Sequence, residues 1–173
     1  MKINFHALKA IYFHEMDRFR RTLTQSLLSP VLTTSLYFIV FGSVIGGYVE
    51  KIDGISYGSY IVPGLLMLTL LTQSISNTSF GIFFPKFNGT IYEILAAPIS
   101  TLEVVLAFVG AGATKTLIVS VVIFITSLFF VDVQVKYPLL MIFLLILVAF
   151  TFALFGFLIG LISSDFEQMS IIP

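Results

Sequence analysis

Long apolar runs separated by short charged segments lay out this chain. Between Arg21 and Glu50 lie 28 residues without a charge, between Asp53 and Lys86 lie 32, and between Lys136 and Asp165 another 28. The stretch from Glu103 to Asp132 makes a fourth run, broken only by Lys115. A helix needs about 20 apolar residues to cross about 30 Å of hydrocarbon, so every run is long enough, with residues to spare for tilt. The runs predict membrane helices over 27–48, 59–84, 104–131 and 139–162. Their apolarity is continuous rather than alternating, which argues against a barrel wall; lipid leaves helices as the way to pair every backbone group within one segment.

Ahead of the first run, Phe5, Leu8, Tyr12, Met16 and Phe19 recur at intervals of three and four, while Lys2, His6, Lys9, Asp17 and Arg20 fall mostly on the other side. That spacing predicts an amphipathic helix over 1–21, lying flat on the membrane surface. The plainer alternative is a solvated basic tail. The expected fold is therefore all-α: a polytopic membrane helical bundle of four transmembrane helices, led by an N-terminal amphipathic interfacial helix. A long patterned leader and a long apolar run do not make a cleavable signal.

Composition agrees with the pattern. Apolar residues make up 58% and charged residues 10% of the 173, with a mean hydropathy of +1.06; soluble domains carry about 25% charged residues. Net charge is zero, so orientation is read from placement. Lys2, Lys9, Arg18, Arg20, Arg21 and Lys86 fall on one side of the predicted topology, against Lys51 and Lys136 on the other. Six against two predicts a cytoplasmic N-terminus and a cytoplasmic loop over 85–100. Cysteine is absent, and His6 and His14 stand without acidic or sulfur companions, so no metal site is expected. No nucleic-acid partner and no cofactor held by this chain are expected either.

Inside the third predicted span Lys115 has two readings. Its stem reaches the interface, as an anchor, or its charge faces a polar cavity. The run VGAGATKT around it is no phosphate loop, because Val109 and Thr114 stand where that loop needs glycine. In the second span Thr69, Thr72, Gln73, Ser76 and Asn77 share one helix face. Such a stripe either bonds to neighbouring helices and to its own backbone or lines a translocation path. Gly42 with Gly46 and Gly156 with Gly160 have the spacing that lets membrane helices approach closely. Pro63-Gly64 is expected to start or kink the second span.

The segment 85–100, PKFNGTIYEILAAPIS, is bounded by proline and squeezed between two spans. Glu93 to Ala97 favour a short helix that Pro98 ends; Ser100 or Thr101 then caps the next helix, with Glu103 in its first turn. Ile91, Leu95 and Phe87 give the short helix an apolar face, to be buried under its own bundle or against a partner.

The amphipathic leader, the first span, YIVPGLL at the opening of the second and EILAAPIS after it together resemble the ABC-2 type transporter permease family over the whole chain. The resemblance implies a bacterial inner-membrane subunit of an exporter. In that family the loop matching 85–100 touches a separate cytoplasmic ATPase, so Lys86, Phe87, Glu93, Leu95 and Pro98 take the place of the ATPase-coupling loop. ATP and Mg would belong to that partner, chemistry would be absent from this chain, and two permeases would pair with two ATPases. The family's usual six spans imply that this chain, reaching Ile171-Ile172-Pro173 as a fifth apolar run begins, is an N-terminal fragment. The competing readings are an ion- or proton-coupled secondary transporter and a non-transporting membrane scaffold. Every Asp and Glu lies outside the predicted spans, against the usual acidic relay of a coupled carrier.

Overall fold

The structure, a computed structural model, describes residues 4–45, 51–52, 55–133 and 135–171. Helix α1 (Phe5–Arg21) opens on Asn4, whose side chain accepts the Ala7 N–H, and ends on Arg18, Arg20 and Arg21, cations that suit the negative end of the helix dipole. Thr22 separates it from α2 (Leu23–Tyr37), which carries Pro30 and continues as wider π-helical turns over Phe38–Ile45. A two-rung antiparallel hairpin, β1 (Lys51–Ile52) and β2 (Ile55–Ser56), leads into α3 (Tyr57–Phe87). The short α4 (Ile91–Ala96), the long α5 (Thr101–Phe130) and α6 (Pro138–Ile162) follow, then α7 (Phe166–Ile171). Among the described residues four helical stretches are long and apolar enough to span a membrane: Leu23–Phe41, α3, α5 and α6.

Several boundaries differ from the expected ones for local reasons. The second span begins at Tyr57 because Ser56 caps it, its hydroxyl accepting the Ser59 N–H. Pro63 therefore neither starts nor ends α3 but sits in its second turn, where it deprives the Ser59 carbonyl of a partner. At the other end α3 runs on through Pro85, Lys86 and Phe87, so these three are helical rather than part of the loop. Gly89, at φ +79°, then reverses the chain into α4, a conformation natural to glycine. Ser100 and Glu103 close a reciprocal capping box at the start of α5. The predicted end of the first span, at 48, lies outside the described residues, as does Gly46 of the Gly42–Gly46 pair.

The core lies where α3, α5 and α6 meet: Leu66, Leu70 and Ile82 against Val104, Phe108, Val109 and Ala113, and against Leu145, Ala149, Ala153 and Phe157. Lipid is as apolar as leucine, so helix association rests on close packing and interhelical hydrogen bonds. Both are present between α3 and α6. The Ser74 hydroxyl donates to the Ala149 carbonyl at 2.6 Å. A Cβ at Gly156 would lie 2.9 Å from the Ile75 Cα, and one at Gly160 would lie 3.0 Å from the Ser79 Cα. Gly112 of α5 meets Thr78 of α3 in the same way, 3.0 Å from a built Cβ to the Thr78 Cβ. α1 and α2 pack on the flank of α5.

Gly156→Val is expected to destabilise the bundle by about 1–3 kcal/mol, because the backbone of α3 cannot yield to the new side chain. Gly64→Ala, which meets open space, should be neutral or slightly stabilising. Thermal unfolding midpoints of the two variants in detergent compare them directly.

Candidate functional site

The loop joining α3 to α5 is fastened at both ends and bare in the middle. Ile91, Ile94 and Ile99 turn inward and pack on the core. Tyr92 (73% exposed) and Leu95 (67%) point away from it, with Glu93 and Pro98 also exposed. Upstream, the Lys86 ammonium donates to the carbonyls of Leu161 (2.6 Å) and Ser163 (2.8 Å), satisfying the C-terminal end of α6, where a cation is favoured. The Phe87 ring lies 6.0 Å from Phe83 and meets Phe166 of α7 edge-on at 5.0 Å. Lys86 is thus committed within the chain, while Phe87 keeps much of its surface free. Downstream, the Glu103 carboxylate accepts the Ser100 N–H at 2.9 Å and, through its other oxygen, the Asn4 N–H of the leader.

That second bond leads to a cluster the sequence reading did not assemble. α1 runs alongside the first half of α5 in the same direction, and its inward face packs there. Asn4 meets Glu103, the Tyr12 hydroxyl meets the Thr114 hydroxyl at 3.1 Å, and Phe19 packs with Val119 and Ile123. Between these contacts Glu15 (2% exposed) receives the Lys115 ammonium (4% exposed) at 2.8 Å on Oε2, and Arg18 reaches the same oxygen at 2.9 Å. Gly81 of α3 backs the carboxylate, a Cβ there lying 3.5 Å from Oε2. Lys115 does not face an open cavity but is buried against Glu15. It sits about 22 Å from the Phe130 end of α5, and an unpaired charge at that depth is expensive, so the chain supplies an acid from another helix. Glu15 and Glu103 are both buried although their sequence positions fall outside the predicted spans. The readable signal was an acid at a core-facing position of α1, four residues before Phe19, in a chain whose third span carries a lone lysine.

The polar stripe of α3 is placed differently. Thr69 and Thr72 spend their hydroxyls on the carbonyls of Leu65 and Leu68, one turn back. Asn77 donates to Gln73 and to Thr116 of α5, both at 3.4 Å. Thr72 is exposed and Thr69, Gln73, Ser76 and Asn77 are half-buried, whereas Leu70, Ser74 and Thr78 face the core. A cavity of about 1210 Å³ opens at the hairpin end of the bundle between Tyr60, Pro63, Met67, Phe124, Tyr137 and Met141. None of the five stripe residues lines it.

The ABC-2 type transporter family matches residues 6–173. The inner membrane transport permease YadH of Escherichia coli K12 is 38% identical over all 173 residues, which cover 68% of that relative, and YadH of Shigella flexneri matches equally. The chain belongs to the ABC-2 type transporter family. No solved structure matches it.

An ABC-2 transport permease with four apolar helices and an inner-membrane relative is a multi-pass protein of a bacterial inner membrane. Among the described residues of this permease no group of three His, Asp or Glu side chains is placed to hold a metal ion. Its polar contacts are joints: α1 to α5 through Glu15 and Lys115, the end of α3 to α6 through Lys86, and the start of α5 to α1 through Glu103.

Lys115→Met, which removes one of the two cations on the Glu15 carboxylate and leaves Arg18 as the other, is expected to destabilise the permease by about 1.5–3 kcal/mol. Adding Glu15→Gln to the same chain should recover most of that loss, because the coupling energy of the pair is then absent from both sides. Unfolding midpoints of the two single variants and the double variant make the cycle.

Proposed function

We propose that this permease is the membrane-spanning half of an ATP-driven exporter, and that the loop from Lys86 to Ser100 receives the stroke of a separate cytoplasmic ATPase. The observation that carries the reading is α4: its inner face is packed, its ends are fastened, and its outer face presents Tyr92, Glu93 and Leu95 with nothing over them among the described residues. Two exposed apolar side chains around one acid suit a protein partner better than water, since such anchors gain most when a partner desolvates them. The six-to-two distribution of Lys and Arg supports a cytoplasmic placement for this loop and the N-terminus.

ATP and Mg belong to the partner in this reading, and the permease converts the partner's motion into access. Two permeases with two ATPases form the working unit. The stripe Thr69, Thr72, Gln73, Ser76 and Asn77 lies on the flank of α3, exposed at Thr72, half-buried elsewhere and bonded to α5 at Asn77, and in this reading a path containing it is completed by a second permease facing that flank. In this reading the cargo moves outward. A ligand-biased two-state element is what this coupling requires, and ATP binding at the partner supplies the bias.

Two measurements test the reading. A Glu93→Ala, Leu95→Ala variant of the full-length permease should retain its unfolding midpoint and lose at least about tenfold in affinity for its partner ATPase, since hot-spot truncations cost about 2 kcal/mol or more. Undiminished co-purification overturns the coupling role. With any cysteine outside these 173 residues replaced, Tyr92→Cys should react with a membrane-impermeant maleimide in inside-out vesicles and stay unlabelled in intact spheroplasts; the reverse pattern overturns the orientation.

A further inference from the structure

Towards the loop, α3 and α6 run side by side in the same direction at glycine distance: Ser74 bonds to Ala149, and Gly156 and Gly160 lie against Ile75 and Ser79. The opening turns of α6, Pro138 to Val148, hold no glycine, alanine or serine, and there the cavity of about 1210 Å³ lies between the two helices, with Phe124 of α5 in its wall. Its lining runs from Ser59 to Met67 on one side and from Tyr137 to Leu145 on the other, a depth of about 12 Å along each helix. The deep part is apolar: Leu66, Met67, Phe124, Met141 and Leu145. Two thioethers among them suit a flexible hydrocarbon chain. Gly64 borders the same space, and a Cβ built on it meets no heavy atom within 4 Å.

The mouth is polar and its groups are unspent. Asp132 and Lys136 stand there on the connection from α5 to α6, both exposed. Among the described residues the ion pairs join Glu15 to Arg18 and Lys115, and Asp17 to Arg20; Asp132 and Lys136 take part in none. The Lys136 ammonium lies 5.6 Å over the Tyr137 ring, a contact that leaves its N–H groups free to donate. Ser59, whose carbonyl Pro63 deprives of its helical donor, lines the mouth as well. Tyr60 and Tyr137 stand exposed beside it, at the depth where tyrosines flank a bilayer.

We propose that this cavity binds one zwitterionic aminophospholipid from the adjoining leaflet, with an acyl chain between α3 and α6, its phosphate on Lys136 and its primary ammonium between Asp132 and the Ser59 carbonyl. Each part of the ligand answers a part of the site. An apolar slot open beside lipid takes a hydrocarbon chain, and two opposite charges without partners take a head that carries both signs. A free carbonyl accepts from a primary ammonium and has nothing to accept from a quaternary one. Asp132 disfavours a head of net negative charge. The site lies at the opposite end of the bundle from α4, so it stands or falls independently of the coupling role.

The test uses the full-length permease in vesicles of phosphatidylethanolamine and phosphatidylglycerol, carrying a trace of phosphatidylethanolamine with a diazirine in its acyl chain. After irradiation and digestion, label should concentrate on Met67, Phe124 and Met141 over Phe143 and Phe150, which are exposed on the outside of α6. Diazirine analogues of phosphatidylglycerol and phosphatidylcholine should label the three positions about two- to fivefold less, as one exposed charge contact warrants. Lys136→Gln and Asp132→Asn should each lower phosphatidylethanolamine labelling by a similar factor, and Asp132→Asn should also abolish the preference over phosphatidylglycerol. Gly64→Phe fills the slot and should remove label from all three positions while the unfolding midpoint holds.

Label spread evenly over inner and outer positions, or unchanged by Gly64→Phe, overturns the site. Equal labelling by the three lipids, or indifference to both charge variants, overturns the aminophospholipid as its occupant. Met67 and Met141 left unlabelled in the unsubstituted protein, as a second copy or a protein segment filling the slot would leave them, overturns the proposal even where Gly64→Phe fails to fold.

Discussion

A lysine halfway along a membrane-length helix has to be neutralised, and here the neutralising carboxylate comes from a different helix. Lys115 on α5 and Glu15 on α1 are both removed from solvent and share a bond of 2.8 Å. Neither charge is tolerable at that depth without the other, so the pair dictates where α1 sits more firmly than its apolar face does. The position of α1 in turn covers the side of α5 that carries Thr114, Lys115, Val119 and Ile123.

The same logic of shared polar groups runs through the loop. One carboxylate, Glu103, caps α5 and holds the first turn of α1. One ammonium, Lys86, closes the carbonyl end of α6. Because the end of α3 and the start of α5, on either side of α4, are held by bonds of this kind, the short helix between them is carried with them, and its outer side chains are left for another molecule. A surface positioned in this way moves with the spans that hold it, and that property suits a transmission element.

Packing among α3, α5 and α6 depends on small residues for a reason specific to lipid. No water is expelled when these helices meet, so the gain comes from the contact distance itself. Gly156 and Gly160 bring α6 onto the backbone of α3, Gly112 brings α5 onto Thr78, and the Ser74 hydroxyl bridges to Ala149 where the helices are closest. Two of these glycines stand out in the sequence by their spacing. Gly112 does not, because its partner, Thr78, is on another helix.

Local chemistry made much of this protein legible in one dimension. Continuous apolar runs, a proline-bounded loop and a serine three residues before a glutamate determine the spans, the connection and the cap on α5, since each depends on hydrogen bonding and solvation within a few residues. The short α4 helix was readable for the same reason, although its start at Ile91 and the inward turn of Ile94 were not. What only the tertiary structure decided are the meetings of distant residues: Glu15 with Lys115, Lys86 with Leu161, and Asn77 of the α3 stripe with Thr116. These depend on which helix lies beside which and at what rotation. A hydrophobic pattern tells a helix to enter lipid without telling it which neighbour to take; that choice is made by paired charges and by close backbone contact.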